Sequence, residues 1–515
     1  MQYAAFWTDS CSVSIVWIGL LFSMMCLALL ASDDADAIPG TEGEQQWLQI
    51  DLYRERIVQC LITGEYTNCG PYVLEAVINY VYVEFAIRSD ADKDVWFLLA
   101  LEVNLAMRMG YHRDPSHFPS ISPFQGEMRR RLWATVLLGD ILISSQMGMP
   151  RMISDRDCDT AEPRNLNDAD IDEGTTELPP SRPETEFTAA LGIIARRRIL
   201  MTLGTILDLT SSIKPCTYAE VLRVDAVLQE AAENIPTPLK MKPMAASVTD
   251  SAQVIMARLF ISHMIYKGRV MLHGRFLYLE SPSKDEVSVA HSRDACLNAS
   301  LGALQIQHVL DEETRPGGQL HTMRWRVTSI MNHQFLTATM ILCSLLHRGQ
   351  TLSRKGEVVA ALRRARLIWM RRSASSQEAK KAAGTVSMVL ARADEGCTYD
   401  VGLADWGSEG PEARRNMPAD PCRAANESGN DATMGFEDGQ ENLRERRTPY
   451  GGEPGTTAQL NTYKLTMISP GDQFFTPDLV VPFTLGNTQG HSFTLNSGST
   501  ESGEDGSVLD EWMVW

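Results

Sequence analysis

Three groups of residues have the types and spacing that chemistry could use. Asp155, Asp157 and Asp159 stand two apart, as the first ligands of a calcium loop do. The sixth position of such a loop needs glycine and the twelfth glutamate. Here they are Thr160 and Leu166, so calcium ligation is not expected. His112 and Asp114 have the His-x-Asp spacing of half an iron facial triad. They follow a helical segment, where the plainer reading is that basic side chains offset the helix dipole and Asp114 shapes the turn. Arginines cluster at Arg129-Arg130-Arg131, Arg196-Arg197-Arg198, Arg363-Arg364 with Arg366, and Arg371-Arg372. Neighbours on a helix point in different directions, so these runs read as solvated faces or intramolecular ion pairs rather than DNA contacts. Glu127 and Asp140, on the same segment as the first run, are the expected partners. There is no G-x-G-x-x-G, Walker A, G-x-S-x-G or H-E-x-x-H pattern. No catalytic residue, metal ligand or DNA-binding residue is assigned, and an enzyme is not expected.

The elements that would hold these residues are helical. Residues 44–63 carry Trp47, Ile50, Tyr53, Ile57, Cys60 and Leu61 at three- and four-residue spacing, and Gly64 stops the pattern. Gly70-Pro71 opens a second segment, 94–109 forms a third, and Gly110 is a natural residue to follow it. Ser122-Pro123 with Gln125 is a capping box, and that helix runs to about Met147 before Gly148 and Pro150. Residues 151–184, acidic and proline-rich, read as a long exposed loop. Helical patterning returns at 187–209, 218–234, 248–279, 287–311, 325–346, 358–370 and 375–391. The expectation is an all-α domain over residues 1–391.

Composition bounds the function. Lys and Arg number 47 against 65 Asp and Glu, a net charge of −18, which argues against a chain that is a basic nucleic-acid binder as a whole. None of the ten cysteines stands in a C-x-x-C pair, so neither a cysteine zinc site nor a disulfide framework is expected. Residues 13–31 are uninterrupted by charge and meet the length of about 20 residues for a membrane span. Asp9 precedes them and no basic residue comes before Arg54, so a buried core helix is favoured over an anchor. A membrane-associated helical protein anchored by 13–31 is the alternative reading. Residues 400–515 carry nineteen acidic and seven basic side chains, with no Lys or Arg after Lys464. The expectation is a disordered linker over 392–464 and an acidic, aromatic tail over 465–515, with Phe474, Phe475, Trp512 and Trp515 available to dock on a partner.

The most specific signal is a series of ordered blocks. Gly110-Tyr111-His112-Arg113-Asp114-Pro115 is followed by Glu127, Arg129-Arg130-Arg131 and Trp133. Asp140, Gly148-Met149-Pro150 and Ile153 come next, then Asp159, Pro163, Asn165 and Asp168. This resembles the regulatory middle homology domain of fungal binuclear zinc-cluster transcription factors. Tyr266–Phe276 is similar to a later helix of that domain with a Leu-His-Arg block, here interrupted by Gly274. Tyr111 stands where Leu is usual. The resemblance implies a nuclear transcription regulator of a metabolic, often secondary-metabolite, gene cluster. It also implies contacts to the transcription machinery through the acidic tail, and is compatible with a homodimer and a small-molecule effector. The blocks are expected to be structural. The family's six-cysteine zinc module is not recognisable here, and Met1 falls inside what resembles the regulatory domain. DNA contact is therefore expected only indirectly or through a missing N-terminal module, and zinc only with that module.

Overall fold

Capping at both ends marks the helix that carries the first arginine run. Ser122 Oγ accepts the Gln125 N–H and Gln125 Oε1 accepts the Ser122 N–H, both at 3.2 Å. Pro123 takes the first helical position, and Gly148 ends the helix in the left-handed region at φ +67°. Each device serves backbone groups that the helix itself cannot pair. The computed structural model describes residues 2–32, 42–90, 93–214, 216–277, 286–351 and 353–401. Among them there are α-helices and short 3-10 turns and no strand. The helices are α1 (Gln2–Thr8), α2 (Ile15–Ala31), α3 (Glu42–Thr63), α4 (Val73–Ala86), α5 (Lys93–Arg108), α6 (Pro123–Met147) and α7 (Ala189–Ser211). They continue with α8 (Tyr218–Glu233), α9 (Ala252–His273), α10 (Glu286–Glu313), α11 (Ser329–His347), α12 (Lys355–Arg372) and α13 (Gln377–Val401). The fold is all-α.

α2 packs on α3 and α4. Ser14 caps α2 by accepting the Trp17 N–H at 3.2 Å, and Val16, Trp17, Cys26, Leu27 and Leu30 are buried. Gly19 lets α3 approach, since a Cβ there would lie 2.9 Å from the Cys60 Cβ. Gly64 has a packing role too, because a Cβ would meet Val16 Cγ2 at 2.3 Å. Ser23 Oγ donates to Leu20 O at 2.7 Å and accepts from Asn79 Nδ2 at 3.0 Å. The small and polar residues of the apolar segment thus have helix-to-helix contacts inside the protein. By length and composition, α11 alone among the described helices could cross a membrane, and 61% of its apolar stretch is buried in the fold.

Successive packing joins α4 to α5, α5 to α6 and α6 to α7. Beyond that, α7 meets α8 and α9, and α10 touches α9, α11 and α12. Ile141 and Leu142 of α6 enter the same apolar core as Leu203, Leu259, Leu297, Leu342 and Trp369. Burying each such side chain contributes roughly 1.5–3 kcal/mol before chain entropy is set against it.

Two expectations need correction. Residues 151–184 are non-helical apart from 3-10 turns at Asp155–Asp157 and Asp168–Asp170, yet they do not form a loop exposed throughout. Ile153, Thr160, Pro163, Asn165, Leu166 and Ile171 are all buried. The polar composition that suggested exposure serves hydrogen bonds to α6 and α7 instead. The last helix also continues to Val401, ten residues past the expected boundary at 391. The rest of the linker over 392–464 and the tail over 465–515 lie outside the described residues.

Candidate functional site

The ordered blocks converge on one wall, where the end of α5, the first half of α6, the 151–184 segment and the start of α7 meet. Gly110, at φ +74°, turns the chain at the end of α5. The Tyr111 N–H reaches back to Ala106 O at 3.0 Å and the Gly110 N–H to Met107 O at 3.1 Å. This pair is the Schellman ending, which needs a left-handed residue at that position. Tyr111 is then buried with its ring beneath Arg129, whose Cζ lies 4.1 Å from the ring centroid. Arg129 Nη2 also donates to Met109 O. The cation that serves the carbonyl end of α5 is therefore Arg129 from α6, and not His112 or Arg113 as the local sequence suggested. The C=O of His112 accepts the Asp159 N–H at 3.0 Å, and its ring lies 6.4 Å from that of the fully buried Trp133.

Asp114 is the hub. Its side chain caps the turn at Pro115–His117 by accepting the Ser116 N–H at 3.0 Å. It takes Arg130 in a fork, with Nε at 2.9 Å and Nη2 at 2.8 Å, and accepts the Ala161 N–H at 2.9 Å. Burial alone would raise the Asp114 pKa; Arg130 and the N–H donors overcome it and hold the carboxyl far below the usual range. Asp159 accepts the Asp114 N–H at 2.8 Å and faces Arg113 Nη2 at 3.0 Å and His117 Nε2 at 2.9 Å. The Asp114 N–H, followed by Arg113 and His117, lowers its pKa. Pro115 is buried against Gly126, where a Cβ would come within 3.2 Å of the proline Cβ.

The third arginine faces elsewhere. Arg131, 3% exposed, meets Glu127 at 3.3 Å, Asp168 at 2.5 Å and Leu166 O at 3.2 Å. Glu127, fully buried, also accepts the Arg164 N–H at 3.1 Å. Pro163 is buried beside these residues in sequence. Asn165 ties the segment to α7. Its Nδ2 donates to the carbonyls of Arg182, Pro183 and Glu186, and its Oδ1 accepts from Thr188, the residue that caps α7. Three consecutive arginines thus have three separate sets of intramolecular partners, as their different directions on a helix require. Two arginines of the second run also face partners within the chain. Arg197 donates to Thr160 O at 2.7 Å, and Arg198 bridges Glu162 at 3.1 Å and Glu184 at 2.8 Å.

Asp140 does not pair with the arginine run. It is fully buried and accepts the N–H groups of Met152 and Ile153, each at 2.9 Å. Lying more than two turns past Arg131, it instead receives the chain as it returns after Gly148 and the exposed Pro150. Burial raises its pKa, while those two N–H donors work against the rise. Sequence reasoning missed its neighbour Glu102. Burial, and then the charge of Asp140, push that carboxyl up to about 8. An acid inside the apolar face Leu98–Leu99–Val103–Ala106 was the available signal. It also missed Arg151, which binds Asp155 at 2.8 Å and Asp208 on α7, with Gly204 leaving it room.

None of this arranges a nucleophile against a base, and His112 and Asp114 join no three-ligand cluster among the described residues. A cleft of about 360 Å³ opens elsewhere, between the end of α4, α12 and α13. Its cations are already held: Arg88 by Glu84, Arg324 by Ser32 O and Arg372 by Asn332.

Residues 7–223 match the fungal specific transcription factor domain. The chain is 40% identical over 418 residues to the fusarisetin A cluster transcription factor fsa6 of Fusarium sp. (strain FN080326), covering 78% of this chain and 55% of that one. It is 41% identical over 405 residues to the Zn(2)-C6 fungal-type transcription factor pigI of Monascus ruber, covering 76% and 49%. To the transcription factor cghF of Chaetomium globosum it is 33% identical over 393 residues, covering 74% and 68%. The chain thus spans about half the length of fsa6 and pigI. No solved structure matches it. These relatives are transcription factors rather than enzymes, and the chain belongs to the fungal transcription factor family that carries this domain.

Proposed function

We propose that this chain is the regulatory part of a nuclear transcription factor that controls one biosynthetic gene cluster for a secondary metabolite. The observation that carries this is the similarity, over more than three quarters of the chain, to a factor named for such a cluster. The arginine wall supports a scaffold role. Its cations face carboxylates and carbonyls of the same chain, which removes them from competition for phosphates. The blocks Gly110–Pro115, Glu127–Trp133, Asp140, Gly148–Pro150 and Asp159–Asp168 then hold α5, α6 and α7 in register. The chain reaches DNA through a zinc-cluster module or through a partner that supplies one. Its acidic, aromatic segment 465–515 engages the transcription machinery, with the aromatics supplying buried area and the acids supplying solubility and steering.

Deleting the gene and sequencing total RNA tests this. The expected result is a fall of tenfold or more in the transcripts of one contiguous biosynthetic cluster, restored by reintroduction. Unchanged transcripts across every such cluster under producing conditions would overturn it.

A further inference from the structure

We propose that Asp225, His273 and His291 bind a divalent transition-metal ion, with zinc the best match, which clips α8, α9 and α10 together. These residues come from three helices, and one ligand atom from each lies within 4.8 Å of the others. His273 Nε2 is 3.6 Å from Asp225 Oδ1, and His291 Nε2 is 4.0 Å from Asp225 Oδ2. Neither distance is a hydrogen bond. Both are close to the separation of about 3.3 Å between ligands on a tetrahedral zinc with bonds of 2.0–2.1 Å. The three ligand atoms lie within 4.8 Å of one another, so closing them on an ion takes side-chain movements of no more than about 1.5 Å.

His273 gives a second, independent indication. Its side chain is fully buried, and Nε2 has no hydrogen-bond partner. Its polar neighbour is Asp225 Oδ1 at 3.6 Å, a long ion-pair contact that a shared metal ion would bridge. The opposite nitrogen, Nδ1, lies 3.1 Å from Ser292 Oγ, which is itself 3.1 Å from Tyr218 OH on α8. If Nδ1 carries the proton and donates to Ser292, the Nε2 lone pair is left facing Asp225 and His291. That is the outer-shell arrangement by which proteins orient a metal-bound imidazole. His291 and Asp225 both reach solvent, which leaves an entry path and room for water as a fourth ligand. Two imidazoles and one carboxylate suit zinc and its neighbours, whereas calcium and magnesium take oxygen ligands. α9 ends at His273, and the 3-10 turn at Gly274–Phe276 carries Arg275 away to Cys216, whose Sγ is 2.9 Å from its Nη1.

The test uses the untagged full chain and zinc chloride. Equilibrium dialysis with elemental analysis should show one equivalent of zinc bound by the native chain beyond that bound by an Asp225→Asn/His291→Ala double variant. Both substituted groups reach solvent, and far-ultraviolet circular dichroism checks that the variant folds. Zinc should raise the melting temperature of the native chain only. Cobalt(II) should give intense visible bands of tetrahedral coordination with the native chain and not with the variant. Equal zinc uptake by native and variant chains, or no uptake by either, would overturn the proposal.

Discussion

The wall between α5, α6 and α7 and the core between α9, α10 and α11 both bury polar side chains, in opposite ways. In the wall, Asp114, Glu127 and Arg131 each have an opposite charge within hydrogen-bond reach, and Asp140 has two backbone N–H donors. In the later core, His263 is fully buried with neither ring nitrogen paired, and Gln307 is 2% exposed with both side-chain ends unpaired. Gln334 Nε2 and His333 Nδ1 are unpaired as well. A satisfied ionic network fixes geometry, because removing one member strands another. An unpaired buried amide or imidazole is a standing cost. The first region should therefore resist substitution by apolar residues, and the second should welcome it.

The largest effect is expected at Arg131. Arg131→Met keeps the volume but leaves the buried Glu127 without its cation, at a cost of about 3–5 kcal/mol. Trp133→Ala, on the same helix and fully buried, should cost a similar amount, about 3–5 kcal/mol, through its cavity. Denaturant melts of the purified proteins decide both. A loss under about 1 kcal/mol for Arg131→Met would remove the distinction between the regions.

pH should separate the regions by sign. Glu102 titrates near 8 in the fold, above its ordinary 4.5, so between those values the folded state holds a proton that the unfolded chain has lost. Its contribution to stability falls as pH rises through that window. His263 does the reverse. Burial, and then the charge of Lys267, take its pKa from 6.5 down to about 3, so the unfolded chain binds the extra proton and stability falls as pH drops below 6.5. Each slope approaches about 1.4 kcal/mol per pH unit. Glu102→Gln should gain on the native protein at pH 8 and not at pH 4.5, whereas His263→Phe should gain more at pH 5 than at pH 8. Parallel shifts of both variants at all pH values would break the comparison.

The smallest effect is expected at Gln307. Gln307→Met removes two unpaired polar atoms and should change stability by no more than about 1 kcal/mol, with a gain expected. A loss of about 3 kcal/mol would show that Gln307 has a buried partner after all.

The two regions also differed in how far they could be read from sequence. The ends of α5 and α6 were legible because their causes are local: Gly110 and Gly148 take positive φ, and Ser122 and Gln125 are three residues apart. The wall as a set was legible only through the resemblance, because its partners are far apart in the chain, as with Arg131 and Asp168. Asp140 was assigned the wrong partner for the same reason, since its donors lie on the returning segment at Met152 and Ile153. The exposed-loop expectation failed because polar residues that serve buried backbone look the same, in one sequence, as polar residues that meet water. His263 and Lys267 share a face of α9 at four-residue spacing, but Gln307 sits alone on α10, and nothing in the sequence marks these positions as buried without partners. Asp225, His273 and His291 come together only through the packing of α8, α9 and α10.

The pairing of Arg130 with Asp114 tests the ionic wall most directly. A double-mutant cycle with Arg130→Met, Asp114→Ala and the two combined, read by equilibrium denaturation, isolates their interaction from the rest of the network. Their bidentate contact, and the depressed titration of Asp114 that accompanies it, require a coupling of about 1–3 kcal/mol. Additive losses within about 0.3 kcal/mol would show that the arginines of α6 do not hold this fold together.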